Sequence, residues 1–225
     1  MNHLHCLFAV FVALLLLVPA AGADWADDFD SYVLGSGLHG QGGWEGWEGD
    51  PTWDAYVTDV FSQSAPHSVD ITPTSDIVQQ FSETSGQWAM TASNYIPSGS
   101  TGDQYFILLN TYGAGIHNWS LDMLFDSSAG MVSTVEGPGT TPIINDQWVE
   151  VRVEINLDAD TQDIYYNGIL LDSLPWAGEG GVTEIAALDL YSNGGSSIYW
   201  DDCSLSAAPT PVESTTWGQI KASFR

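Results

Sequence analysis

The stretch QWVEVRVEINL (147–157) constrains the fold more than any other. Val149, Val151, Val153 and Ile155 recur at every second position, with Trp148 at the start, against Glu150, Arg152 and Glu154 between them. A period of two places alternate side chains on opposite faces of an extended strand, so this run reads as a half-buried strand with a charged outer face. Similar signals mark residues 55–61, 67–71, 76–81, 87–95, 104–112, 118–125, 184–192 and 197–205. Turn-forming PSGSTGD, SSAG, EGPGT, GEGG and NGG separate them. In YYNGILL (165–171), Asn167-Gly168 sits between two apolar runs, a strong hairpin signal because both residues tolerate positive φ. No segment of the body carries a helical period over three turns, and no internal repeat is present. About twelve short strands spaced in this way predict an all-β, two-sheet antiparallel jelly-roll sandwich.

Residues 4–18 form a nearly continuous apolar run, followed by PAAGA and then by acidic DWADDFD. Ala21 and Ala23 supply a small-x-small pattern, so residues 1–23 read as a signal peptide, which implies a secreted, extracellular or cell-surface protein. The run is short for a membrane span, which needs about 20 residues. The expected body is one domain, 24–206. Beyond it, 207–225 combine a Pro/Thr linker with a short amphipathic tail in which Trp217, Ile220 and Phe224 share a helical face. That tail is read either as a cell-envelope docking signal or as a helix packed back on the body.

Asp and Glu number 29 against three Lys and Arg, for a net charge of -26. Such a field repels nucleic acid and anionic membranes and favours divalent cations and neutral ligands. Cys6 falls within the expected signal peptide. Cys203 is then alone, expected as a small core residue without a disulfide.

Several stretches in this order resemble the concanavalin A-like lectin/glucanase superfamily, of the laminin-G-like jelly-roll kind. DDFDSY (27–32) is similar to its first strand. QWVEVRVEINLDADTQDIYYNGILL (147–171) is similar to its central stretch, and IYWDDCSL (198–205) to its last strand. The resemblance implies two curved sheets, adjacent first and last strands, a structural calcium in many members, and glycan binding or glycoside cleavage. Carboxylates brought together by paired terminal strands would repel one another unless a cation sat among them. Calcium, an oxygen-seeking ion, suits such a cluster. The expected ligands are Asp28, Asp30, Asp201 and Asp202, with Asp201 in the position that carries calcium in the resembled modules. The same alternation puts Asp201 on one face with Cys203 and Leu205. The loop NLDADTQD lacks the Gly and closing Glu of an EF-hand and is expected as a hairpin turn.

No Glu-x-Asp-x-x-Glu pair of the resembled glucanases is present, and no Gly-x-Ser-x-Gly or His-Glu-x-x-His. Glu150 and Glu154 share a face roughly 13 Å apart, too far for a retaining mechanism, and Arg152 between them suggests a charge ladder. The expected ligand-binding residues are Trp47, Trp53, Tyr56, Asn110, Tyr112, Asn118 and Trp119, because flat rings stack on the C–H faces of sugars and amides fix hydroxyls. Trp44 is expected as a buried plug, Trp88, Trp148 and Trp200 as core, and His117 as an ordinary loop residue. These signs favour a calcium-stabilised module that binds neutral polysaccharide or cell-surface glycan without catalysis. The alternatives are a divergent glycoside hydrolase or polysaccharide lyase, and a structural or adhesive surface protein.

Overall fold

The computed structural model describes residues 24–208. The expected signal peptide and all but the start of the tail lie outside the described residues. In chain order the strands are β1 (Trp25–Asp27), β2 (Trp44–Gly46), β3 (Tyr56–Thr58), β4 (Ser68–Ile71), β5 (Asp76–Glu83), β6 (Gln87–Tyr95), β7 (Asp103–Thr111) and β8 (Asn118–Asp126). They continue with β9 (Met131–Thr134), β10 (Thr140–Pro142), β11 (Trp148–Asn156), β12 (Thr161–Tyr166), β13 (Ile169–Leu174), β14 (Ile185–Asn193) and β15 (Ile198–Ala207). The only helical pieces among the described residues are two single turns, Trp47–Gly49 and Pro51–Trp53.

Two antiparallel sheets result. The first runs β13-β12-β11-β6-β15-β4-β3, with β1 also paired to β15, and the second runs β10-β9-β8-β7-β14-β5-β2. The first and last strands are neighbours in register, Trp25 opposite Leu205 and Asp27 opposite Cys203. The two-layer jelly roll expected from the sequence is therefore present, with fifteen strands rather than about twelve. The three short strands β2, β9 and β10 were not expected, because three or four residues cannot display an alternation. The first strand is shorter than DDFDSY suggests. It ends at Asp27, and Phe29 turns the chain at φ 58°.

Alternation explains most of the core. On β11, Val149, Val151, Val153 and Ile155 point inward, while Trp148 shares the outer face with Glu150, Arg152 and Glu154. Trp148 is thus only partly buried, contrary to the expectation that it is core, because its position on the strand decides this over ring size. Trp88 faces inward with Met90 and Ala92, opposite Ile155, and packs against the core as expected, but near the start of β6 it stays partly exposed. Arg152 lies between Glu150 and Glu154, its guanidinium 3.9 Å from the Tyr165 ring centre, so the ladder is a surface feature. Trp200 is fully buried between the layers, 5.4 Å from Phe106 and 5.7 Å from Phe125. Tyr166 and Ile169 close the two-residue turn at Asn167 (φ 51°) and Gly168 (φ 71°), the geometry that the Asn-Gly pair favours.

Trp44 is the expected plug. It is buried against Trp25 and Phe29, and its indole N–H donates to Asp27 at 2.9 Å. The Asp27 carboxylate also accepts from the Tyr32 hydroxyl (2.6 Å) and the Phe29 N–H (2.9 Å). Asp27, rather than Asp28, is therefore the acid that the opening strand buries. Cys203 is buried and free, as expected.

Candidate functional site

A cleft of about 340 Å³ opens on the face of the second sheet that points away from the first. Its floor follows from strand register. Tyr191 on β14 lies opposite Asp76 on β5 and Tyr105 on β7. One pleat away, Asp189 on β14 lies opposite Ile107 on β7, which lies opposite Asp122 on β8. Asp76 and Asp189 are thus diagonal neighbours on one face, within side-chain reach. The Tyr105 and Tyr191 rings stack at 5.6 Å. Trp47 and Trp119 form the rim. The His117 ring lies between them, 4.5 Å from Trp47 and 6.1 Å from Trp119, and Tyr112 meets Trp47 edge-on at 5.1 Å. Nε2 of His117 lies 3.3 Å from Glu48. The Tyr112 hydroxyl accepts the Glu48 N–H at 2.8 Å and so holds the Trp47–Gly49 turn against the sheet.

The acids of the floor are protonated more readily than ordinary carboxyls. Burial pushes Asp76 up to about 6, and a hydrogen bond from the Asp189 carboxyl partly offsets that rise. Asp189 is 3% exposed and is raised well above the usual range by burial, then by the charge of Asp76. Burial and the neighbouring Glu136 carry Asp122 to about 7. Of the pair, the more deeply buried Asp189 holds the proton more tightly and gives it to Asp76 in a hydrogen bond. Folded carboxyls that hold protons more tightly than unfolded ones bind more protons in the native state from about pH 4 to pH 7. Their contribution to stability is therefore present at low pH and lost as pH rises through about 6 for Asp76 and about 7 for Asp122. Asp189→Asn is expected to raise stability at pH 8 by on the order of 1–3 kcal/mol and to give no gain at pH 4. Melting temperature against pH for variant and wild type checks the sign.

The sequence-predicted ligand residues fall into three groups. Trp47 and Trp119 line the cleft, and Tyr112 joins its rim through Trp47 and lines an adjoining recess of about 400 Å³ with Glu45, Glu48 and Gln80. Asn110 is fully buried and spends its amide on Asn118, Ser120 and the Ala177 carbonyl. Asn118 in turn donates to the Glu179 carbonyl, so these two amides anchor the 177–182 loop. Trp53 and Tyr56 are exposed but do not line the cleft, and Tyr56 lies on the edge strand β3 of the other sheet. Sequence reasoning missed Asp76, Asp122, Asp189, Tyr105 and Tyr191. The available signal was an acid placed inside LDML and AALDLY, runs otherwise apolar on both faces, whereas Asp76 at the head of DIVQQF carries no such mark.

The terminal acids do converge, but on a loop. Asp201 Oδ2 accepts the N–H groups of Gln63 (2.7 Å) and Ser64 (3.1 Å), while Oδ1 accepts that of Asp202 (2.8 Å). Asp202 accepts from the Ser64 hydroxyl at 2.8 Å, and Asp30 accepts the His67 N–H at 2.8 Å. Asp28 accepts the N–H of Asp30 at 3.1 Å. A bulge between Asp201 and Ser204, with Asp202 at φ 47°, flips the alternation there. Asp201 therefore faces outward with Ser93, while Trp200, Cys203 and Leu205 face the core, and the face expected for it is corrected. Among the described residues no group of three His, Cys, Asp or Glu side chains is placed to hold a metal ion. In this arrangement the Gln63, Ser64 and Asp202 N–H groups answer the Asp201 carboxylate. Asp201→Ala would leave the Gln63 and Ser64 N–H groups without their acceptor and is expected to destabilise by about 1–3 kcal/mol. Urea unfolding checks that value. EDTA is expected to leave the wild-type midpoint unchanged, and a midpoint raised by added calcium would restore the ion.

The remaining acidic loop behaves as the expected turn. Asp158 accepts the Gly86 N–H and Asp160 that of Ala177. A larger recess of about 590 Å³ lies beside β1 and β15, but the buried acid at its wall, Asp27, has its oxygens engaged by three protein donors.

No family model matches the chain, and no curated protein matches it in sequence. Solved structures do. A sialidase superposes over 84% of this chain with a TM-score of 0.58 at 11% identity, and the chain spans 19% of that protein. Cellulose induced protein Cip1 superposes over 83% of this chain and 99% of its own, with a TM-score of 0.56 at 14% identity. The carbohydrate recognition domain of Emp47p covers 85% of this chain and 99% of its own, with a TM-score of 0.51 at 10% identity. At such identities the likeness is one of fold. Together with the paired terminal strands and the two stacked antiparallel sheets, it shows a two-layer jelly-roll β-sandwich.

Proposed function

We propose that the protein binds a carbohydrate chain in the cleft on the outer face of the second sheet. One observation carries this reading: four aromatic rings, Trp47, Tyr105, Trp119 and Tyr191, surround a floor of hydrogen-bonding carboxyls on a rigid sheet. Rings offer flat apolar surface to sugar C–H faces, and the carboxyls accept from hydroxyls. The sheet supplies the rigidity that a binding site on a glycine-rich loop lacks. A fold shared with a sialidase and with a carbohydrate recognition domain supports the reading without establishing it. The export expected from residues 1–23 would bring such a module to extracellular or surface glycans.

The test is a glycan array with wild type and Trp119→Ala. Retention of one class of glycan by wild type, reduced about tenfold in the variant, is the expected result. Equal binding by both proteins would move the site elsewhere.

A hydrolytic reading is favoured by the protonation pattern. Asp122 and Asp189 lie two strands apart in register on one face, too far apart at the backbone for the close pair of a retaining mechanism and with room between them for the water that an inverting pair needs. Asp122 would give its proton to the glycosidic oxygen as the anomeric C–O bond breaks. The Asp76–Asp189 pair would take a proton from the water that forms the new C–O bond. Release of reducing ends from a polysaccharide panel, abolished in Asp122→Asn, would establish this reading, and silence across the panel would reject it.

A further inference from the structure

Asp76, Asp122 and Asp189 each retain a buried Oδ1 without a hydrogen-bond donor from the protein. Asp189 is 3% exposed and lines the cleft. Only one Lys or Arg, Arg152, occurs among the described residues, and it lies on β11 in the other sheet. Three carboxyls thus line one aromatic-walled recess with no Lys or Arg among them.

We propose that the cleft selects a cationic sugar, an oligomer of 2-amino-2-deoxy-hexose residues with free ammonium groups, over its neutral counterparts. This rests on the reading that a carbohydrate chain occupies the cleft. An ammonium group carries three N–H donors and no acceptor, so ammonium groups on successive sugar residues suit a floor whose side chains are acceptors spread over neighbouring strands. The faces of Trp47, Trp119, Tyr105 and Tyr191 add cation–π attraction, which is stronger in a desolvated site. A neutral hydroxyl can donate one hydrogen bond to the same oxygens but carries no charge to favour their ionised form. A uronate would bring a further acid to three that already favour their protonated forms. Beyond the recess, a net charge of -26 draws cations toward the surface.

The proton balance gives an independent signature. The groups facing the Asp189 carboxyl are Asp76 from β5, Tyr191 from β14, Tyr105 from β7 and Asp122 from β8. Glu136 contacts Asp122, and Glu48 with His117 lies on the rim beyond Trp47. A cation in the recess favours the ionised carboxyls, so binding displaces protons held by Asp76, Asp189 and Asp122. Affinity for a permanently charged ligand should therefore rise with pH between about 5 and 8.

The experiment is calorimetric titration of the purified protein at about pH 6 with three oligomers of equal length: glucosamine, N-acetylglucosamine and glucose (β-1,4). The glucosamine oligomer is expected to bind at least about tenfold tighter than either neutral oligomer, equivalent to about 1.4 kcal/mol. That ratio should fall below about threefold in Asp189→Asn and in Asp122→Asn. At about pH 5, where the amines are already protonated, the glucosamine oligomer should release protons on binding, read as a heat that depends on the buffer's ionisation enthalpy. Neutral oligomers that bind as tightly as the amine, with Trp47-dependent affinity, would overturn the cation preference and keep the carbohydrate reading. No binding of any oligomer would overturn both. An amine preference undiminished in both Asn variants, or amine binding without proton release, would assign the effect to the general surface charge and overturn the proposal.

Discussion

Replacement of Trp200 by alanine is expected to lower the unfolding free energy by about 3–5 kcal/mol. The ring is fully buried at the centre of the sandwich, in contact with Phe106 of β7 and Phe125 of β8 across the layer interface. Both sheets meet on it, so a cavity left there loses contacts on two sides and cannot collapse without shifting a strand. For a chain of this length about 2–4 °C of melting temperature accompanies each kcal/mol, so the midpoint should fall by roughly 6–20 °C. Trp200→Phe keeps an aromatic ring and loses less volume, and its indole N–H has no protein partner to forfeit. It should cost less than half as much. Denaturant unfolding of the three proteins measures the series. A loss below about 1 kcal/mol for alanine would mean that the ring does not bridge the sheets.

Trp47→Ala is expected to weaken glycan binding by about 30-fold, roughly 2 kcal/mol, with little change in the unfolding midpoint. The ring forms one wall of the cleft and also orders its neighbours, packing against His117 at 4.5 Å and Tyr112 at 5.1 Å. Its removal takes away a stacking surface and loosens the rim together. Because Trp47 is only partly buried and sits on a single helical turn, the core should not feel the change. Trp53→Ala is the matched control. It removes the same side chain from the same glycine-rich segment, but Trp53 does not line the cleft, so affinity should stay within about twofold. A larger loss for Trp53 than for Trp47 would place the ligand on another surface.

The architecture was largely legible because alternation and turn chemistry act locally. The β6 strand spans 87–95 as read from the sequence, and the Asn167-Gly168 hairpin has the expected dihedrals. Pairing of the first and last strands was legible only through resemblance, since register between residues 180 apart leaves no local trace. The misplacement of Asp201 has a definite cause. Period-two counting holds only on an unbroken strand, and the bulge before Ser204 inserts a residue that switches faces. The cleft was half legible. Trp47, Tyr112 and Trp119 stood out as aromatic residues in loop-like sequence. Asp76, Asp122 and Asp189 come from three strands, and no spacing within the chain could show that register brings two of them onto one row and the third one pleat away. Asn110 shows the reverse error: an amide of the right chemistry whose burial commits it to holding a loop.

The most direct test of the account is to record the tryptophan indole N–H resonances while glucosamine, N-acetylglucosamine or β-1,4-glucose oligomers are added. The account predicts that the indole signals of Trp47 and Trp119 shift with a shared saturation curve, while those of Trp53, Trp148 and Trp200 stay in place. Saturable shifts at Trp53 or Trp148, with Trp47 and Trp119 unmoved, would contradict the assignment of the outer face of the second sheet as the ligand site.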